Sequence, residues 1–113
     1  MTLRMLEGFI QRDEINAIHV GSDRYEALLR GEVAAATLME PWISLAEKQG
    51  GRVIMESHYL SSDISGPELD QETWNAINRA IRKAVKRIND DKRKYMHYLI
   101  DQIPPHLGTL EPD

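Results

Sequence analysis

Four residues in the first half of the chain have types and spacing suited to holding a small molecule. Glu40 and Trp42 flank Pro41 where a small apolar run gives way to a helical pattern. An indole there offers a stacking or cation–π face. The Glu40 carboxylate can accept from an amine or amide, or turn inward and favour the start of the helix that Pro41 opens. Gly21 and Ser22 stand at an earlier turn before a helix, where backbone N–H groups can hold an anion. A plain N-terminal cap is the alternative there.

Other candidates carry less chemistry. His19 falls in an alternating stretch and reads as a sheet-face residue, and His58 with Tyr59 reads as loop. His97 and Asp101 stand at i, i+4 without a third ligand, so they are read as structural rather than as a metal site. No phosphate loop is present, because GEVAAA and KQGGR lack the required spacing and the Lys-Ser/Thr pair. No Ser-His-Asp set assembles. The chain has no cysteine, which excludes disulfides, thiol catalysis and Cys-ligated metals. No catalytic residue, cofactor or metal is assigned, and the expectation is a protein that is not an enzyme.

The elements that must position Gly21, Ser22, Glu40 and Trp42 follow from periodicity. Leu3, Leu6 and Ile10 mark a short helix. Residues 15–20 alternate and read as a strand. Asp23 with Glu26 fits a capping pattern. Tyr25, Leu28 and Leu29 form the inner stripe of the next helix, and Gly31 stops it. Residues 33–39 read as a second strand, between Gly31 and Pro41. A helix with Ile43, Leu45 and Ala46 inward runs to Gly50-Gly51. Residues 52–56 read as a third strand.

Residues 57–69 form a loop or linker, with Ser61-Ser62-Asp63 and Gly66-Pro67 in it. Asp70 then caps a long helix with Thr73 at the third position. Trp74, Ile77, Ile81, Ala84, Val85 and Ile88 are its apolar stripe. Asn89-Asp90-Asp91 breaks it and caps a further helix carrying Tyr95, Met96, Tyr98, Leu99 and Ile100. That helix ends at Pro104-Pro105, and the rest reads as a frayed tail.

These elements predict an α/β fold: a small three-stranded, mostly parallel sheet with flanking helices and a C-terminal helix pair. The expected division is residues 1–56 as a partial α/β lobe, 57–69 as linker, 70–103 as the helical pair and 104–113 as tail.

With 113 residues, 42% of them hydrophobic and 28% charged, the chain suits one globular domain with a modest core. The net charge of -4 argues against general binding to nucleic acid or anionic membranes. Residues 1–69 hold 6 Lys and Arg against 11 Asp and Glu, and residues 70–113 hold 8 against 7. The basic excess lies between Arg79 and Lys94 and reads first as a solvated helix face. The amino-terminal MTLRMLEGFI is too short and interrupted for a signal peptide.

The stretch RYEALLRGEVAAATLMEPWISLAEKQGGRVI resembles the second lobe of type II periplasmic substrate-binding proteins of the nitrate/sulfonate/taurine group, which includes the thiamine-pyrimidine synthase-like proteins. ALLRGEVAAA, MEPW, SLAEKQG and RVI stand in the family's order, with an alanine where aspartate is usual. INRAIRKAVKRINDDKRKYMHYLI is similar to the helices that follow. The resemblance covers roughly residues 12–103. It implies the solute-binding lobe of a receptor that closes on a small, often anionic ligand and delivers it to an ABC permease. It also implies a periplasmic or extracytoplasmic setting, whereas the chain as written would stay in the cytoplasm. Since the family uses two lobes, the expectation is a truncated protein that binds ligand weakly; the alternatives are a fragment of a binding-protein-fold enzyme, of the desulfinase or pyrimidine synthase type, and a domain that self-associates through the surface left bare. Enzymatic relatives, desulfinases and pyrimidine synthases, use cysteines that this chain lacks.

Overall fold

The computed structural model describes residues 2–112. Among them the regular elements are helical: α1 (Thr2–Leu6), α2 (Arg24–Leu29), α3 (Trp42–Lys48), α4 (Gln71–Asp90) and α5 (His97–Ile100), with 3-10 turns at Arg12–Glu14, Arg93–Tyr95 and Pro105–Leu107. None of these helices is long and apolar enough to cross a membrane.

The helix boundaries follow local chemistry. Gly31 and Gly50 adopt φ 69 and 89 just beyond α2 and α3, the left-handed conformation that ends a helix without Cβ strain. The Asp70 carboxylate accepts from the Thr73 backbone N–H at 2.8 Å and from the Thr73 hydroxyl at 3.1 Å, closing the first turn of α4. Asp91 accepts from the Lys94 backbone N–H at 3.3 Å and starts the next turn.

The predicted three-stranded sheet is absent: residues 15–20, 33–39 and 52–56 form no strand among the described residues. The α/β fold class, and with it the likeness to a periplasmic binding-protein lobe at the level of fold, is therefore corrected to a helical arrangement with long irregular connections. The reason is coverage. A parallel sheet must be buried on both faces, and a typical strand is about 17 Å long. Helices of six and seven residues reach only about 9 and 10 Å at 1.5 Å per residue. The candidate strands also suit burial poorly. Ala34, Ala35 and Ala36 have weak strand propensity, and residues 52–56 carry a charge at each end. Ile18, Met39, Val53 and Ile54 accordingly remain exposed.

Two compact units divide the chain: one runs to Ser57 and includes His106–Gly108, the other holds His58–Pro105 and the residues from Thr109 on. The core of the first unit is Tyr25 and Ala27 of α2 with Pro41, Leu45 and Ala46 at α3. Gly108 lies against it, for a Cβ there would stand 3.1 Å from Leu45 Cδ1. The tail is thus docked at Gly108 rather than frayed. In α2 the inner face also differs from the predicted stripe. Ala27 is buried with Tyr25, while Leu29 faces solvent.

In the second unit α4 buries none of its residues. The 3-10 turn Arg93–Tyr95 packs on α5 through Tyr95 and Tyr98, whose rings stack at 6.5 Å. Ile103 is buried here.

Candidate functional site

The first turn of α3 decides what Glu40 does. Its backbone N–H groups are all satisfied: Trp42 and Ile43 donate to the Met39 carbonyl, and Leu45 to that of Pro41. The Ser44 N–H donates to Glu40 Oε2 at 3.3 Å, and the Ser44 hydroxyl donates to the same oxygen at 2.9 Å. Glu40 thus supplies the side-chain cap that the initial N–H groups of a helix need. The inward alternative holds, and this oxygen is already engaged. The peptide joining Glu40 to Pro41 is cis.

Trp42 lies half-buried on α3. Its ring meets Tyr25 of α2, centroid to centroid at 5.3 Å with the planes tilted by 36°. Tyr25 is 3% exposed, and its hydroxyl oxygen is buried without a hydrogen-bond partner. Burial pushes the phenol pKa up from its ordinary value. A buried hydroxyl without a partner carries a desolvation penalty. It is also a donor and acceptor available to a group that can reach it.

Gly21 and Ser22 stand in the turn before α2. Gly21 has φ 61, and the Ser22 hydroxyl donates to Asp23 Oδ1 at 2.9 Å. That places the Asp23 carboxylate at the start of a six-residue helix, where it makes no side-chain cap bond. Gly21, Ser22, Glu40 and Trp42 therefore do not converge into one shell. The hydrogen bonds of Ser22 and Glu40 stay within four residues of chain, and only Trp42 reaches across to another element, through Tyr25.

Periodicity places Tyr25 in the inner stripe of α2 and says nothing of its contact with Trp42. The available signal was a tyrosine in an otherwise aliphatic stripe, since buried Tyr hydroxyls normally find a partner.

The histidines take no part. His19 and His58 are exposed, His19 on no sheet face. His97 Nδ1 is 3.0 Å from the Lys94 carbonyl oxygen and its ring meets Tyr98 at 4.1 Å. Among the described residues no group of three His, Asp or Glu side chains could hold a metal ion. An open hollow of about 500 Å³ lies at the end of α4, lined by Arg87, Asp90, Asp91, Lys94 and Tyr95. Its cations and carboxylates are mixed, which gives it no single charge preference.

No protein-family model, no curated protein and no solved structure matches this chain.

Proposed function

We propose that this chain is a non-catalytic, solute-binding segment of the kind used by the receptors of ABC importers. Its ligand is a small organic or sulfur- or nitrogen-containing molecule, often anionic. The observation that carries the reading is the Tyr25–Trp42 pair: a half-buried indole against a phenol whose buried hydroxyl has no partner. Small-ligand sites are lined mostly by apolar and aromatic side chains with a few placed polar groups that orient the ligand. The ordered motifs ALLRGEVAAA, MEPW and SLAEKQG, which resemble those of nitrate/sulfonate/taurine receptors, support the same reading from sequence alone. Glu40 serves by capping the helix that carries Trp42. Desulfinase or synthase chemistry of the cysteine-dependent kind is not proposed, because the chain has no cysteine.

The test is a titration followed by tryptophan fluorescence. The chain has two tryptophans, so Trp74→Phe leaves Trp42 as the sole reporter. Nitrate, taurine, methanesulfonate and small alkylamines are added in turn. The expected result is a saturable change for at least one of them, with a dissociation constant of about 1 mM, the weak end of specific binding. Tyr25→Phe should weaken that binding. No saturable change with any of these probes overturns the reading.

A further inference from the structure

Helix α4 carries five cations on one face, and four of them are unspent. Arg79, Arg82, Lys83, Lys86 and Arg87 recur at steps of three and four residues, the spacing that gathers side chains on one side of a helix. All five are exposed. Lys86 is held by Asp90 at 2.7 Å. The other salt bridges among the described residues engage Arg4, Arg12 and Arg30. Arg79, Arg82, Lys83 and Arg87 thus have no carboxylate partner among the described residues.

A solvated helix face is usually built differently. Charges of alternating sign are laced along it, so that neighbours one turn apart attract. Residues 79–88 hold five Lys and Arg and no Asp or Glu, although acids outnumber bases 18 to 14 in the whole chain. Like charges at i, i+4 destabilise a helix. Here Arg79 meets Lys83, Lys83 meets Arg87 and Arg82 meets Lys86 at that spacing. A bound polyanion removes this repulsion. The net charge of -4 does not cancel the effect locally, because exposed charges more than about 8 Å apart are largely screened at physiological salt.

The surroundings select which polyanion. The cations lie on the side of α4 opposite Ile77, Ile81 and Ile88. An anionic membrane that took up those isoleucines would leave the cations facing away from it. At its carboxyl end the basic face runs into the hollow lined by Arg87, Asp90, Asp91, Lys94 and Tyr95, and Arg87 belongs to both. The Tyr95 ring, stacked with Tyr98 at 6.5 Å, gives the hollow an aromatic wall. An acidic peptide would bring its own carboxylates against Asp90 and Asp91 and has no use for that ring. An unpaired nucleobase suits the same lining. It stacks on an aromatic face, and the exocyclic amino group of a base such as cytosine donates to a carboxylate. Phosphates then fall to the row Arg79, Lys83 and Arg87, whose members rise about 6 Å per step at 1.5 Å per residue. A duplex keeps its bases stacked and offers none to the ring.

We infer that this face of α4 binds single-stranded nucleic acid, with phosphates on Arg79, Arg82, Lys83 and Arg87 and one base against Tyr95. The proposal does not depend on the solute-binding reading. Its test is fluorescence anisotropy of labelled oligodeoxycytidine of about 15 nucleotides, within the range of a single-strand site. The expected affinity falls with salt along a log–log slope of about -3, from four contacts at roughly -0.7 each. The combined variant Arg79→Gln, Lys83→Gln, Arg87→Gln should lose about tenfold or more in affinity and about 2 of that slope. Its ellipticity at 222 nm should be held or raised, since like charges are removed. Tyr95→Ala should weaken binding about fivefold or more with the slope unchanged, and Tyr95→Phe should restore it. Arg12→Gln, in a paired cation of the first unit, should bind as the parent does. No binding at low salt overturns the proposal, as does parental affinity in the combined variant. Equal affinity for Tyr95→Ala removes the base from the hollow. Competition by poly-glutamate as effective as by unlabelled oligonucleotide assigns the face to an acidic protein segment instead.

Discussion

The side chains at the start of α3 divide into a cap and a contact, and substitutions separate the two. Glu40→Ala removes the acceptor of both Ser44 bonds and should destabilise the protein by about 1 kcal/mol, the usual value of a helix cap. Ligand-dependent fluorescence of Trp42 should persist in that variant, since the carboxylate serves the helix. Tyr25→Phe should act the opposite way. It deletes a buried hydroxyl that has no partner, so urea unfolding should show stability raised by about 1 kcal/mol together with weakened ligand binding. The Tyr25 pKa is raised by burial, so its contribution is complete below the ordinary tyrosine pKa. That contribution is lost as pH rises through the raised value. An alkaline unfolding curve should therefore extend to higher pH in Tyr25→Phe than in the parent chain. Identical curves would show that this phenol does not govern the alkaline transition. Glu40's capping option was visible in sequence from Pro41 after it. The Trp42–Tyr25 contact was not, because it joins residues on different helices.

At the scale of the elements, α4 depends on its own local signals, because none of its residues is buried. Most helical stability in proteins comes from packing an amphipathic face, so where no residue is buried a cap weighs heavily. The Thr73 backbone N–H, and then its hydroxyl, hold the Asp70 carboxyl below its ordinary pKa. A lowered folded-state value means that the stabilisation is complete above the ordinary aspartate pKa. It disappears as pH falls through the lowered value. The 222 nm ellipticity should drop over that acidic range in the parent chain. Asp70→Ala should show reduced ellipticity already at neutral pH and a shallower acid transition. An Asp70→Ala chain with parent ellipticity at neutral pH would remove the cap from the account of α4. Three helix ends were legible in this way: Asp70 with Thr73, Gly31 and Gly50 each act within one turn of chain, whereas the cap expected at Asp23 makes no side-chain bond. The three strands at 15–20, 33–39 and 52–56 were not. Apolar alternation states what a strand would bury but not whether a neighbour exists to pair with it.

At the scale of the whole molecule, the first unit rests on very few side chains. Leu45 is fully buried, with Gly108 backed against it. Leu45→Ala should cost about 2–5 kcal/mol, the range for emptying a core leucine site. In a unit with so small a core, that should appear as loss of a cooperative urea transition. A cooperative transition with an unchanged midpoint would show that the stability lies elsewhere. Composition, net charge, the lack of cysteine and the starts and stops of α2, α3 and α4 were determined by the sequence alone. Each of those is either a count or an interaction closed within about four residues. Tertiary structure alone decided that no sheet forms, that Trp42 leans on Tyr25 and that the tail docks at Gly108. These outcomes depend on which distant segments reach one another, and on whether helices of six and seven residues can cover what a sheet would expose.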